Sequence, residues 1–337
     1  MLPPRLLPER PTAPPIIESM HVLIPFASNT SEAAAHVLHD LNLPMLERLL
    51  RRLQLTDRDE GNEATLSPPH ERALARARGW PIRDGALPFA AAEAAQDGIA
   101  VGAAAWCLLT PAHWSAGRDR VTMLDPGALH LGEGESRALF DAVRPLFESE
   151  RFTFAWGAPL RWYAAHPMLA DLPCASPDRV IGRDIESWLP PQQRARLLRR
   201  LQSEAQLVLY THAVNEAREA RGELAVNSFW ISGCGAHLPG TGGPVHLPGA
   251  GEPVQQLDSL RAPLLAGDWA GWADAWRALD AGPLAQLVQR CDAGESVTLT
   301  LSGCRSFQRF DDVPRSWWQR AAGCWRSQPA WAVLEVL

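Results

Sequence analysis

The apolar positions of the chain fall into short runs with two periods. Residues 21–26 (HVLIPF) form an uninterrupted apolar run that reads as a buried strand. The segment 27–41 (ASNTSEAAAHVLHDL) follows as a polar turn and a helix, with Ser28 or Thr30 as the cap and Glu32 near the helix start. Residues 44–53 (PMLERLLRRL) predict a second helix opened by Pro44, and the polar stretch 54–70 a loop. Short helices are predicted over 71–79, ended by Gly79, and over 88–95. Residues 99–109 (IAVGAAAWCLL) are apolar and small, consistent with a central strand or a buried helix. Residues 110–118 read as a loop, 120–124 as a strand and Asp125-Pro126 as a turn. A helix over 133–147, truncated by Pro145, precedes a hairpin built from 152–156 and the strand opening at Trp162.

The strongest helical period begins near Pro191. Leu197, Leu201, Ala205, Val208 and His212 share one stripe that runs on to Asn215, where the apolar face gives way to a polar one. Residues 228–231 read as a strand and the Gly- and Pro-rich stretch 236–256 as a linker. Beyond it, Trp269, Trp272 and Trp276 recur at helical spacing, and residues 279–291 continue helically. VTLTL (297–301) is a strand, 307–310 its hairpin partner, 316–325 a Trp-rich helix and 331–337 a final strand. The fold class that follows is α/β: a mixed sheet with flanking helices, plus a smaller Trp-rich α+β C-terminal region. The expected organisation is a disordered Pro-rich extension over 1–19, an α/β core over 20–235 that carries the site, the linker 236–256 and the C-terminal region 257–337.

Composition narrows the chemistry. The formal net charge is −6, which gives a nucleic-acid partner no bulk electrostatic support. There is no lysine, so lysine Schiff-base chemistry and the Walker A lysine are excluded, and any anion site must use arginine, histidine or backbone N–H groups. The six cysteines contain no CxxC pair and read as free buried thiols of a protein in a reducing bacterial cytoplasm. No apolar run is long enough to span a membrane. The six prolines within residues 1–19 interrupt any secretory core, and Met20 reads as the true start. The sequence carries no GxSxG, HExxH or HxE…PCxxC motif, and its first strand ends without the aspartate that a two-metal phosphatase site would place there.

Three constellations remain. The first is the end of the long helix and the turn after it: His212, Asn215, Glu216, Arg218 and Arg221, then Asn227, Trp230, Ser232 and Gly233. Arginines facing a Gly-rich turn form a cradle for a small anionic or polar ligand, although arginines at a helix end also serve its dipole. The second is His113, Asp119, Asp125 and His130, two histidines and two acids that offer a divalent-metal set at no standard spacing. The third is Arg161, set beside Trp162 and Tyr163. The C-terminal tryptophans read as core, or as an interface for a protein partner.

LYTHAVNEAREARGELAVNSFWISGCG, most specifically residues 210–235, resembles the bacterial RpfE-type regulatory protein family. MHVLIPFAS, RDRVTMLDPGALHL and APLRWY fit the same resemblance, which covers residues 20–337. It implies a regulatory protein with no established chemistry. Some members of that family carry the label of cofactor-independent phosphoglycerate mutase. The leading expectation is therefore a cytosolic regulatory, ligand-binding protein that recognises a small anionic or polar ligand between loop 110–130, Arg161 and the Asn215–Ser232 turn. The alternatives are a metal-dependent phosphoryl-transfer enzyme of phosphoglycerate mutase type, with divalent ions on His113, Asp119, Asp125 and His130, and a protein–protein adaptor working through the C-terminal tryptophans. The sequence leaves catalytic residues and any cofactor unidentified; a divalent metal belongs only to the metal-dependent alternative.

Overall fold

The computed structural model describes residues 20–238, 254–313 and 329–337. The N-terminal extension, most of the Gly/Pro linker and the helix expected over 316–325 lie outside them. In chain order the strands are β1 (Met20–Ile24), β2 (Gln54–Arg58), β3 (Ala105–Ala112), β4 (Trp114–Ala116), β5 (Val121–Met123), β6 (Thr153–Ala158), β7 (Arg161–Ala165), β8 (Ser228–Ala236), β9 (Val254–Gln256), β10 (Val297–Ser302) and β11 (Phe307–Asp311).

They form two principal sheets. The first has the order β2-β11-β10-β1-β9 and is mixed: β1 runs parallel to both β10 and β9, whereas β10–β11 and β11–β2 are antiparallel. The second is an antiparallel sheet of order β6-β7-β3-β8. A short β4–β5 ribbon stands beside it. The fold is thus α/β with a mixed sheet and flanking helices, and the tryptophan-bearing helix Trp269–Leu279 belongs to its C-terminal part.

Strand alternation decides how each sheet is covered. On β1, Val22 and Ile24 face a core shared with helices Glu32–Asp40, Pro44–Arg52, Trp269–Leu279, Ala285–Asp292 and Ala330–Glu335. Leu23 points to the other side, onto Ala73 of helix Pro69–Ala77. The second sheet is covered in the same way. Cys107, Trp162 and Phe229 face helices Glu133–Ser149 and Gln192–Tyr210, while Trp106, Tyr163 and Ala165 face Ala90, Ala91 and Ala94 of helix Phe89–Gln96. The two hydrophobic cores do not part at the Gly/Pro stretch. The first strand and the C-terminal elements share one core, and residues 105–236 build the other.

Several local expectations need correction. Ser31, not Ser28 or Thr30, caps the first helix, its hydroxyl accepting from Ala34 N at 3.2 Å. Residues 54–58 are an edge strand rather than loop; their polarity reflects the solvent on that edge. Strand β3 runs on to Ala112 and β4 follows, so little of 110–118 is loop. The helix over 133–149 continues through Pro145. Val254–Gln256, within the expected linker, is a strand beside β1. Ala330–Glu335 is helical, since a short apolar run does not tell strand from helix. No helix among the described residues is long and apolar enough to cross a membrane.

Candidate functional site

The long helix ends at Tyr210, and a second one, Ala213–Ala220, begins after His212, whose ring Nδ1 accepts from Val214 N at 3.2 Å. The break turns the polar end of the stripe back onto the protein. Asn215 is buried; its amide donates to Leu209 O and Val226 O and accepts from Val226 N, each at 2.8 Å. Arg218, 1% exposed, donates to Leu224 O (2.8 Å) and Leu129 O (2.5 Å) and pairs with Glu135. Arg221 is half-exposed, tied to Glu135 and Glu223. Asn227 exchanges hydrogen bonds with both backbone groups of Trp114. The Trp230 indole donates to Ala175 O at 2.8 Å, and Glu216 faces solvent. These side chains knit the helix end to the second sheet. Their donors are spent on the protein itself, which is why the expected cradle does not form there.

The expected metal set is also dispersed. His113 Nδ1 sits 2.8 Å from Ala225 O, while Asp119 and His130 are exposed. Asp125 caps a 3-10 turn and pairs with Arg261 at 3.0 Å. Among the described residues, no three His, Cys, Asp or Glu side chains meet in a way that could hold a metal ion. Trp272 and Trp276 are wholly buried, and Trp269 packs partly against them.

A cleft of about 720 Å3 opens between the two sheets, and four expected site residues line it: Asp125, Arg161, Ser232 and Gly233. One wall is helix Pro69–Ala77 with its capping residue, which turns His70, Glu71, Leu74 and Arg78 into the cleft at i, i+1, i+4 and i+8. That helix packs on the first sheet through Ala73. The facing wall is helix Phe89–Gln96, presenting Phe89, Ala90, Glu93 and Gln96 together with Asp97. It can lie close to β8 because Gly233 (φ 63°) has no Cβ, which would otherwise stand 2.8 Å from Ala90 N. The floor is Ser176, Pro177 and Asp178, and Arg261 reaches in from the first sheet's side.

Most of the charge is locked in pairs. Arg161 makes a two-pronged contact with Asp97 (3.0 and 2.9 Å), and the Tyr163 hydroxyl donates to the same carboxylate at 2.7 Å. The hydrogen bond from Arg161 holds Asp97 below the usual carboxylate range. Burial, and then the bond to Asp97, pushes Tyr163 up. Asp178 meets His70 Nε2 at 3.3 Å and Arg261 at 2.7 Å; against the cost of burial, these neighbours hold it ionised below its ordinary value.

Three groups in the cleft stand outside those pairs. Arg78 makes no ion pair or hydrogen bond among the described residues; its guanidinium lies 4.9 Å from the Trp80 ring centroid and 5.4 Å from that of Phe89. Two aromatic faces thus fix a cation whose N–H groups remain available. Glu93 is held above the carboxylate range by burial, with Arg161 and Arg78 opposing. Burial pushes Glu71 up to about 7, although His70 and the Ser176 hydroxyl favour its charged form. An arginine with open donors and two protonatable carboxyls suit a ligand that carries both acidic and hydroxyl groups. The sequence reading missed Glu71, Arg78, Glu93, Asp97, Asp178 and Arg261. Only the alignment of Glu71, Leu74 and Arg78 on one helix face left a trace in the sequence.

No family model matches the chain. Over 114 residues, 33% of this chain, it is 29% identical to the 2,3-bisphosphoglycerate-independent phosphoglycerate mutase of Methanosarcina barkeri. Over 122 residues, 35% of this chain, it is 29% identical to a probable enzyme of the same name from Geobacter sulfurreducens. The matched stretches span only 29% and 30% of those relatives' own lengths. Among solved structures, the cofactor-independent phosphoglycerate mutase of Thermoplasma acidophilum aligns with a TM-score of 0.34 at 15% identity, covering 87% of this chain and 89% of that one. The PH0037 protein of Pyrococcus horikoshii aligns with a TM-score of 0.46 at 13% identity, covering 87% of each.

Proposed function

We propose that this chain is a phosphoglycerate-mutase-like protein that binds a small phosphorylated hydroxy acid in the cleft between its two sheets. The observation that carries this reading is Arg78, a cation held on two aromatic faces and lining the cleft, which makes no salt bridge among the described residues and has Glu93 as its charged neighbour. The partial sequence similarity to phosphoglycerate mutases supplies the ligand class. In this reading Arg78 takes the phosphate or carboxylate of the ligand, and Glu71 and Glu93, which make no salt bridge among the described residues, take its hydroxyl. Arg161 and Arg261, already neutralised by Asp97, Asp125 and Asp178, shape the rim. Ligand recognition thus moves from the Asn215–Ser232 turn to the cleft, and only Asp125, Arg161, Ser232 and Gly233 of the expected residues move with it. The two-histidine metal set has no part in it.

The test is calorimetric titration of the full chain with 2- and 3-phosphoglycerate, followed by phosphorus NMR to detect their interconversion. Binding that weakens in Arg78→Ala supports the reading, and interconversion extends it from binding to catalysis. Absence of binding to either ligand overturns it.

A further inference from the structure

The ionisable groups lining the cleft do not balance. Five carboxyl groups face three arginines there, and two of those arginines are already paired. A ligand bearing a phosphate and a carboxylate would add several negative charges to a space that already holds an excess of acid. Arg78 offsets only one of them. In a cleft partly shielded from water, charges left unmatched are strongly disfavoured.

Glu71 is placed to relieve this. It sits two turns before Arg78 along the same wall and lines the same cavity, and among the described residues it makes no salt bridge with an arginine, Arg179 acting on it only through its charge. The groups around it come from every neighbouring element. His70 and Arg78 stand on its own helix and cap. Ser176, Asp178 and the buried Arg179 belong to the floor segment, and Glu93 to the opposite helix. Ser176 bonds to its carboxyl. A carboxyl so placed has one oxygen satisfied by a hydroxyl, and its other oxygen can carry a proton toward a ligand.

We infer, building on the function proposed above, that an anionic ligand enters the cleft together with a proton, which the Glu71 carboxyl takes up and shares with the ligand as a hydrogen bond. The proton comes from solvent, and no covalent bond is made or broken. Binding and protonation then favour one another, so affinity is tied to pH by linkage. The ordinary titration of Glu71, pushed up to about 7 by burial, puts this coupling near neutrality rather than in acid.

The test is calorimetric titration of the full chain with 3-phosphoglycerate in two buffers of different ionisation enthalpy, from about pH 7.5 to 9, where a phosphate monoester (second pKa about 6) is already fully ionised. The wild type should take up close to one proton on binding, and its affinity should fall by up to about tenfold per pH unit. Glu71→Gln should bind with no net uptake and with a level pH profile. Ser176→Ala, which removes a bond favouring ionised Glu71, should move the fall in affinity to higher pH and covers the case in which Glu71→Gln misfolds. Binding without proton uptake, uptake that persists in Glu71→Gln, or a profile unmoved in Ser176→Ala overturns this inference and leaves the proposed ligand class standing. No binding at any pH overturns both.

Discussion

Asn215 grips Val226 by both of its backbone groups: the side-chain oxygen accepts from Val226 N and the side-chain nitrogen donates to Val226 O, each at 2.8 Å. A third bond runs to Leu209 O, so one buried amide ties the end of the long helix to the segment that leads into β8. The Asn215→Ala variant strands three buried backbone groups. It should lose about 3 kcal/mol of unfolding free energy while its folded fraction binds phosphoglycerate with wild-type affinity. Urea unfolding and calorimetry on the same preparation check both halves. Weakened binding in a fully folded variant would return this residue to the ligand site.

Arg78 carries the opposite expectation. Its side chain is held by the faces of Trp80 and Phe89 rather than by an ion pair. Arg78→Ala should weaken binding of 3-phosphoglycerate by about tenfold or more, the size of a lost charge-assisted hydrogen bond, with little change in unfolding midpoint. Arg78→Lys should recover part of the loss, because an ammonium keeps the charge without the planar fork. Equal affinities in all three proteins would remove Arg78 from the site.

Arg261 bridges the cleft, bonding Asp178 at 2.7 Å and Asp125 at 3.0 Å from a helix that begins beside the first sheet's core. Its replacement by alanine should loosen the two rims before the cores. Amide hydrogen exchange should quicken in residues 125–129 and 176–180 while exchange in β3 and β10 stays slow. Uniform acceleration across both sheets would show a global rather than a local role.

His21 predicts the acid response of the first sheet. Burial, with Arg309 adding, lowers its pKa to about 4, and its Nε2 lies 2.8 Å from the Thr300 hydroxyl across β1 and β10. The folded state holds the ring neutral, while the unfolded chain protonates near 6.5. The unfolded state therefore binds more protons between those values, and stability falls as pH drops from about 6.5 to 4. His21→Gln should flatten that part of the profile, read as unfolding free energy against pH. An unchanged slope would place the acid sensitivity elsewhere.

Much of the fold was legible because its signals are local. Val22, Leu23 and Ile24 announce a strand buried on both faces, and the Leu201–Ala205–Val208 spacing announces a helix with one apolar side. Strand β2 was not legible: Gln54–Arg58 is a polar edge strand whose pairing with β11 depends on residues about 250 positions away. The site divided along the same line. Arg161 and Gly233 drew notice through their neighbours in sequence. Arg78, Glu93 and Arg261 matter only because three separate elements bring them to one cavity. Arg218 misled for a physical reason, since a guanidinium that ties a helix end to backbone carbonyls has the same sequence signature as one waiting for an anion.

The place of β1 in its sheet has a consequence for the order in which the molecule is assembled. Both of its neighbours, β9 and β10, come more than 200 residues later, whereas β3, β6, β7 and β8 find one another within residues 105–236. On the ribosome, the antiparallel sheet has all its strands long before the mixed one does. Strand β1 must then wait, apolar on both faces, until the chain has emerged through β10. The lobe built on β1 closes after the antiparallel one, and the cleft between them exists only from that moment.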